Sequence, residues 1–287
     1  MENKTIGTAL KAIGGSIAAI AILVIGQLIS QVLANQCGVI GVPSPVCNVL
    51  GGILYVGLSY IMLRLVFNKL FKIPVEELGM PRFGIRLKWI IVAILLPVAV
   101  KGLYLLAFKG EYVSFGMSSL EIASVLTAGI VFTGIAAGYV EEMVFRGVIM
   151  HLLEKRWNKY VAIIIPSLLF GVVHIIGMDY SIVSTSLVIL AGTMVGVMFS
   201  LIAREGDSVW NSGIVHAVWN IVIIGGGLYI SEKADKYSVM TYVLKSKSFA
   251  VTGGQFGIEA CAISLVAYII VAVIAFAMII KKGKSEK

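Results

Sequence analysis

The sequence predicts an all-α polytopic membrane protein with about eight transmembrane helices, and three observations carry that prediction. Of the 287 residues, 59% are apolar and only 13% are charged, whereas soluble globular chains carry about a quarter charged residues. The mean hydropathy of +0.99 means more apolar surface than one soluble core can hide. Long stretches also lack Asp, Glu, Lys and Arg altogether: Lys11 to Arg64, Glu121 to Glu141, Lys159 to Asp179, Asp179 to Arg204, Asp207 to Glu232 and Glu259 to Lys281. Each is about the length a helix needs to cross ~30 Å of hydrocarbon. Disorder, a collagen repeat and a disulfide scaffold fail on the same composition.

In chain order, spans are predicted at about 12–34, 50–68, 88–108, 125–153, 159–177, 180–203, 208–230 and 258–280. Lys4 and Lys11 precede the first run, but it is too long for a signal peptide and no clear cleavage site follows, so it reads as an uncleaved span. The uncharged loop after it holds Cys37 and Cys47, which could be bridged on an oxidising side. Cys261 falls within an apolar span and reads as packing. The piece 71–87 mixes charge with Pro74 and Pro81 and is expected to lie along the interface. With no internal repeat visible, residues 1–287 read as a single integral membrane domain.

Loop charges set the orientation. Arg64, Lys69, Lys72, Arg82, Arg86 and Lys88 surround the second loop, Lys155, Arg156 and Lys159 mark the fourth, Arg204 the sixth, and four lysines the tail. The first and fifth loops have no Lys or Arg. The positive-inside rule therefore predicts cytoplasmic termini, in the cell membrane if the chain is prokaryotic. The seventh loop, 231–257, departs from the rule with Lys233, Lys236, Lys245 and Lys247, partly offset by Glu232 and Asp235. The net charge of +8 thus sits in loops. No basic stripe or glycine-rich phosphate loop accompanies it, which excludes a nucleic-acid partner.

Ionisable residues inside spans are costly and mark function by default. Here they are Glu141 and Glu142 with Arg146, His174, His216 with Asn220, and Lys101. Counting from the charged loops at ~1.5 Å per residue puts Glu141, His174 and Asn220 each roughly 20 Å in and His216 about 14 Å in. Three helices thus bring a carboxylate, two imidazoles and a carboxamide to similar depth. Glu142 and Arg146 are four apart and can pair, as His216 and Asn220 can share a face. Glu141 turns about 100° away from Glu142 and is expected on the His174 side, with Phe170 one turn from His174 as a buttress. Such a site needs water, so a cavity among spans four to seven that opens towards the cytoplasm and sideways to lipid is expected. Lys101 reads as a snorkelling or structurally paired residue and His151 as interfacial.

Three motifs in sequence carry a resemblance. Glu141-Glu142-Met-Val-Phe-Arg146 fits EExxxR, Phe170-Gly-Val-Val-His174 fits FxxxH, and His216-Ala-Val-Trp-Asn220 fits HxxxN. Together they resemble the CPBP family, which comprises type II CAAX prenyl endopeptidases and bacterial relatives described as bacteriocin-processing or immunity proteins. The resemblance covers about residues 120–230. It implies an eight-helix intramembrane glutamic endopeptidase acting on membrane-associated or lipidated peptides or proteins. Glu141 and His174 would activate water, His216 and Asn220 would form the oxyanion hole, and Glu142 with Arg146 would support the site, with no metal or other cofactor.

Two other readings stay open on the residues alone. Glu with two His is a legitimate zinc ligand set, although there is no HExxH helix and Arg146 would place a cation beside the metal. A non-catalytic immunity or signalling scaffold is the other. The partners implied are a peptide or lipidated protein and membrane lipids, while the oligomeric state stays open.

Overall fold

In a computed structural model of the chain, which describes residues 2–179 and 181–285, helix dominates. The main helices are α1 (Glu2–Val39), α2 (Ser44–Val66, ending in a wider turn, Phe67–Phe71) and α3 (Leu87–Ala107). They continue with α4 (Ser119–Arg156), α5 (Lys159–Val173), α6 (Ile182–Gly206), α7 (Val209–Ile223) and α8 (Ala262–Ser285). Three short strands, β1 (Gly110–Val113), β2 (Leu228–Ser231) and β3 (Met240–Leu244), complete the fold.

Among the described residues, six helices are long and apolar enough to cross a membrane: α1, α2, α3, α4, α6 and α8. The chain is therefore a mostly helical, polytopic membrane protein. The remaining two predicted spans are shorter than the sequence suggested. α5 and α7 have 15 residues each, about 22 Å of helix against ~30 Å of hydrocarbon. After them the backbone turns through Gly177 and Gly226, both at φ +77°, so the apolar run continues while the helix does not. Non-helical backbone at membrane depth is tolerated only where protein or a cavity surrounds it. His174 and Ile224, which follow the two helices, both border such a cavity.

α4 begins earlier than its apolar periodicity implied because Ser118 caps it. The Ser118 hydroxyl accepts from the Glu121 amide, and the Glu121 carboxylate accepts the Ser118 N–H at 2.7 Å, a reciprocal capping box. Asn158, Ser181 and Ser208 cap α5, α6 and α7 one-sidedly, each side chain accepting from backbone N–H groups of the first turn. Within α4, Ala128–Ala137 and Met143–Ile149 widen into π-helical turns, a feature often found at functional sites.

α6 is the central helix. More than half of its most apolar stretch is buried, against less than a third in the other five long helices. Glycines allow the close approach: a Cβ on Gly192 would stand 2.6 Å from the Gly171 Cα of α5, and one on Gly196 would stand 2.8 Å from Ser167. Small residues at helix crossings are the membrane solution, because lipid supplies no hydrophobic drive between helices. Outward-facing Leu95, Leu106, Ile182 and Ile274 remain exposed, as a lipid-facing surface requires.

The two ends of the bundle differ. One gathers charge: Glu205 receives Lys88 at 2.5 Å and the Trp89 indole at 3.0 Å, Arg204 binds Glu154 at 2.7 Å, and Lys282 binds Asp207 at 2.5 Å. The other end carries the sheet, in order β1-β3-β2, with β1 antiparallel and β2 parallel to β3. On the sheet, Lys245 meets Glu111 at 2.9 Å. That hydrogen bond and charge hold the Glu111 carboxyl below its ordinary range and the Lys245 ammonium above its own. Lys101 of α3 donates its ammonium to the Val222 and Leu228 carbonyls. It thereby caps the C-terminal end of α7, where unpaired carbonyls and the helix dipole favour a cation.

Candidate active site

The innermost element is an ion pair. Glu142 and Arg146 of α4 are fully buried, with Arg146 Nη1 donating to Glu142 Oε1 at 2.8 Å. Arg146 Nη2 reaches the Gly196 carbonyl of α6 at 3.1 Å. The guanidinium also lies 4.6 Å from the Phe170 ring centre and 5.4 Å from that of Phe199, in cation–π range. Arg146 therefore fastens α4 to α5 and α6 at once. Removing either charge would leave the other uncompensated in the core.

His216 of α7 sits between the two glutamates. Its Nδ1 lies 3.2 Å from Glu142 Oε1 and its Nε2 lies 3.8 Å from Glu141 Oε2. The ring stacks on Phe199 at 4.6 Å and meets the Phe170 edge at 5.8 Å. Glu141 Oε2 is buried and has no hydrogen-bond partner. Of the two adjacent glutamates, Glu142 is fully buried, while Glu141 borders the cavity that His174 also lines.

His174 follows the last turn of α5, with Nδ1 2.6 Å from the Phe170 carbonyl. A carbonyl only accepts, so Nδ1 carries a proton, and Nε2 is the ring nitrogen left for chemistry. The Phe170 and His174 rings lie 4.6 Å apart. Asn220, one turn after His216, donates Nδ2 to the Thr133 carbonyl at 3.0 Å. Its amide has a second N–H to offer.

Glu141, His174, His216 and Asn220 all border one cavity of about 480 Å³. Glu142 and Arg146 do not line it and stand behind its wall. The remainder is largely apolar, including Phe132, Val188, Val195 and Phe199. None of its lining residues comes from the charged end. Met178, Ile224, Phe256 and Glu259 bring its wall to the sheet end, where a groove shares Thr133 and Ile224 with it. The reason is the shortness of α5 and α7, which stop at the site and leave space beyond.

The sequence reading missed Glu259, using it only to bound a charge-free stretch. It lies in a single turn, Ile258–Ala260, before α8 and accepts the Trp219 indole N–H at 3.0 Å. An isolated acid heading an apolar run was the available signal. His151, by contrast, lies away from the cavity, with Nδ1 2.8 Å from the Gly147 carbonyl. Among the described residues, no group of three or more His, Cys, Asp or Glu side chains is arranged to hold a metal ion.

Comparison with known families agrees with these motifs. Residues 121–222 match the family model for Type II CAAX prenyl endopeptidase Rce1-like. Over that segment, about a third of the chain, the residues are similar to the CPBP/CAAX protease-like proteins. No curated protein and no solved structure matches the chain.

Proposed function

We propose that this CPBP/CAAX protease-like membrane protein is an intramembrane endopeptidase of the glutamic type, hydrolysing peptide bonds of membrane-associated or lipidated substrates. The supporting observation is the meeting of Glu141, His174, His216 and Asn220 on one cavity within the apolar bundle. Amide hydrolysis needs a base for water, an acid for the leaving amine and donors for the developing oxyanion. Glu141, with His174 Nε2 also holding the water, takes one proton from it as its oxygen bonds to the carbonyl carbon, and returns that proton to the amine as the C–N bond breaks. His216 Nε2 and the second N–H of Asn220 face the oxyanion. To donate through Nε2 while Nδ1 binds Glu142, the His216 ring must carry both protons, with a carboxylate at each nitrogen. Glu142 and Arg146 hold His216 from behind.

In the same reading both termini and the charged end are cytoplasmic, by the loop lysines and arginines. The cavity then communicates with the opposite face. An impermeant thiol reagent should label a cysteine placed near residue 245 from outside and one near residue 155 only after permeabilisation. The reverse pattern inverts the orientation.

The decisive experiment compares membrane peptides from cells carrying the wild-type chain and Glu141→Gln by mass spectrometry. Intact precursors should accumulate with Glu141→Gln and their cleaved products disappear. Identical peptide profiles with an undiminished phenotype would sink the protease reading in favour of a scaffold. Loss of wild-type cleavage on chelation, with recovery on added zinc, would favour a metalloprotease instead.

A further inference from the structure

Glu259 shares the cavity with Glu141, His174 and His216 yet has no part in the hydrolysis described above. Its position is fixed. The Trp219 indole donates to Oε1 at 3.0 Å, and the Tyr268 hydroxyl donates to its backbone carbonyl at 3.2 Å. Trp219 and Tyr268 meet edge to face at 5.1 Å, and Phe256 stands nearby with its ring 6.3 Å from that of His174. Trp219, Tyr268 and Phe256 all line the cavity beside the carboxylate.

Two features make this more than a structural clasp. Among the described residues, no lysine or arginine forms an ion pair with Glu259, although it borders a largely apolar space. A carboxylate withdrawn from water is costly without a counter-charge. The flanking rings supply the other half of a cation site, because aromatic faces attract ammonium and guanidinium groups, most strongly where water is excluded. A carboxylate set among three aromatic side chains on an apolar wall therefore matches a positively charged group carried on an apolar body.

We propose that Glu259, with Trp219, Tyr268 and Phe256, forms a cation-binding subsite of the cavity and selects substrates with an ammonium or guanidinium group close to the bond cut. The group can come from a Lys or Arg side chain or from a free amino terminus. The inference rests on the peptidase reading only for the identity of the molecule that brings the cation.

The test titrates the purified full-length protein in a neutral detergent with n-octylammonium and with n-octanol, which share a tail and differ in charge. Binding is read by calorimetry. The wild type should bind the amine about tenfold or more tightly than the alcohol. Glu259→Gln, which keeps an acceptor for Trp219, should lose that preference, while Glu259→Asp should keep part of it. Melting temperatures verify that each variant is folded, and Glu259→Asp serves if the glutamine variant is not. Competition with two short peptides then separates the sources, one with lysine and an acetylated terminus, the other with norleucine and a free terminus. An equal preference for the amine in wild type and Glu259→Gln, or no preference in the wild type, overturns the subsite. A charge-dependent amine site in a protein that cleaves no peptide would leave the subsite standing while the peptidase reading falls.

Discussion

His216 Nδ1 and Arg146 Nη1 converge on the same oxygen of Glu142, at 3.2 and 2.8 Å. Glu142 is thus more than the counter-ion of Arg146. It joins the buried cation of α4 to the histidine that faces the cavity from α7. Charge placed behind the wall thereby sets the orientation of a ring in front of it.

Glu142→Gln should accordingly fail in two ways. Arg146 loses its counter-charge, and breaking a buried pair typically costs about 3–5 kcal/mol. His216 also loses the carboxylate that fixes its ring. The expected result is lower purified yield and melting temperature together with lost cleavage. A variant as stable as the wild type would show that Gly196 and the aromatic rings suffice to hold Arg146.

Glu141→Gln should separate stability from activity. The side chain is partly open to the cavity, with His216 Nε2 3.8 Å from its Oε2. Melting temperature should stay near the wild-type value while cleavage falls by about 10²-fold or more, the usual contribution of a general base. Normal turnover at normal stability would exclude Glu141 as the base.

Asn220→Ala should lower kcat by about 10²–10³-fold with little change in KM, as for other oxyanion-hole donors. Asn220 also donates to the Thr133 carbonyl, which ties α7 to α4. A small fall in melting temperature should accompany the kinetic loss. A rise in KM alone would assign Asn220 to ground-state binding.

Gly192→Val tests the helix crossing that carries His174. Its Cβ would meet the Gly171 backbone of α5 at 2.6 Å, so α5 and α6 must separate. Overpacking of this kind costs about 1–3 kcal/mol, read as a lower melting temperature. His174 should move with α5, and cleavage should drop beyond what the lost folded fraction explains. Unchanged stability and activity would mean that the crossing is loose.

Composition and periodicity by themselves determine that this chain is helical and crosses a membrane, because a backbone in hydrocarbon must satisfy its hydrogen bonds within each segment. Spacing also makes the Glu142–Arg146 pair legible, since residues four apart on a helix are neighbours whatever surrounds them. Depth counting from charged loops brings Glu141, His174, His216 and Asn220 to one level, because helical rise is fixed. Only the tertiary structure decides the rest. That α5 and α7 stop short depends on turns at Gly177 and Gly226, which hydropathy does not register. The sheet pairs Gly110 with Leu244 across the chain through strands of four or five residues, too short to leave a pattern. The contact of Glu141 with His216, and the arrival of Glu259 in the same cavity, depend on how separate helices rotate and pack. Those rotations are set by side chains from all of them together, so no local stretch of sequence encodes them.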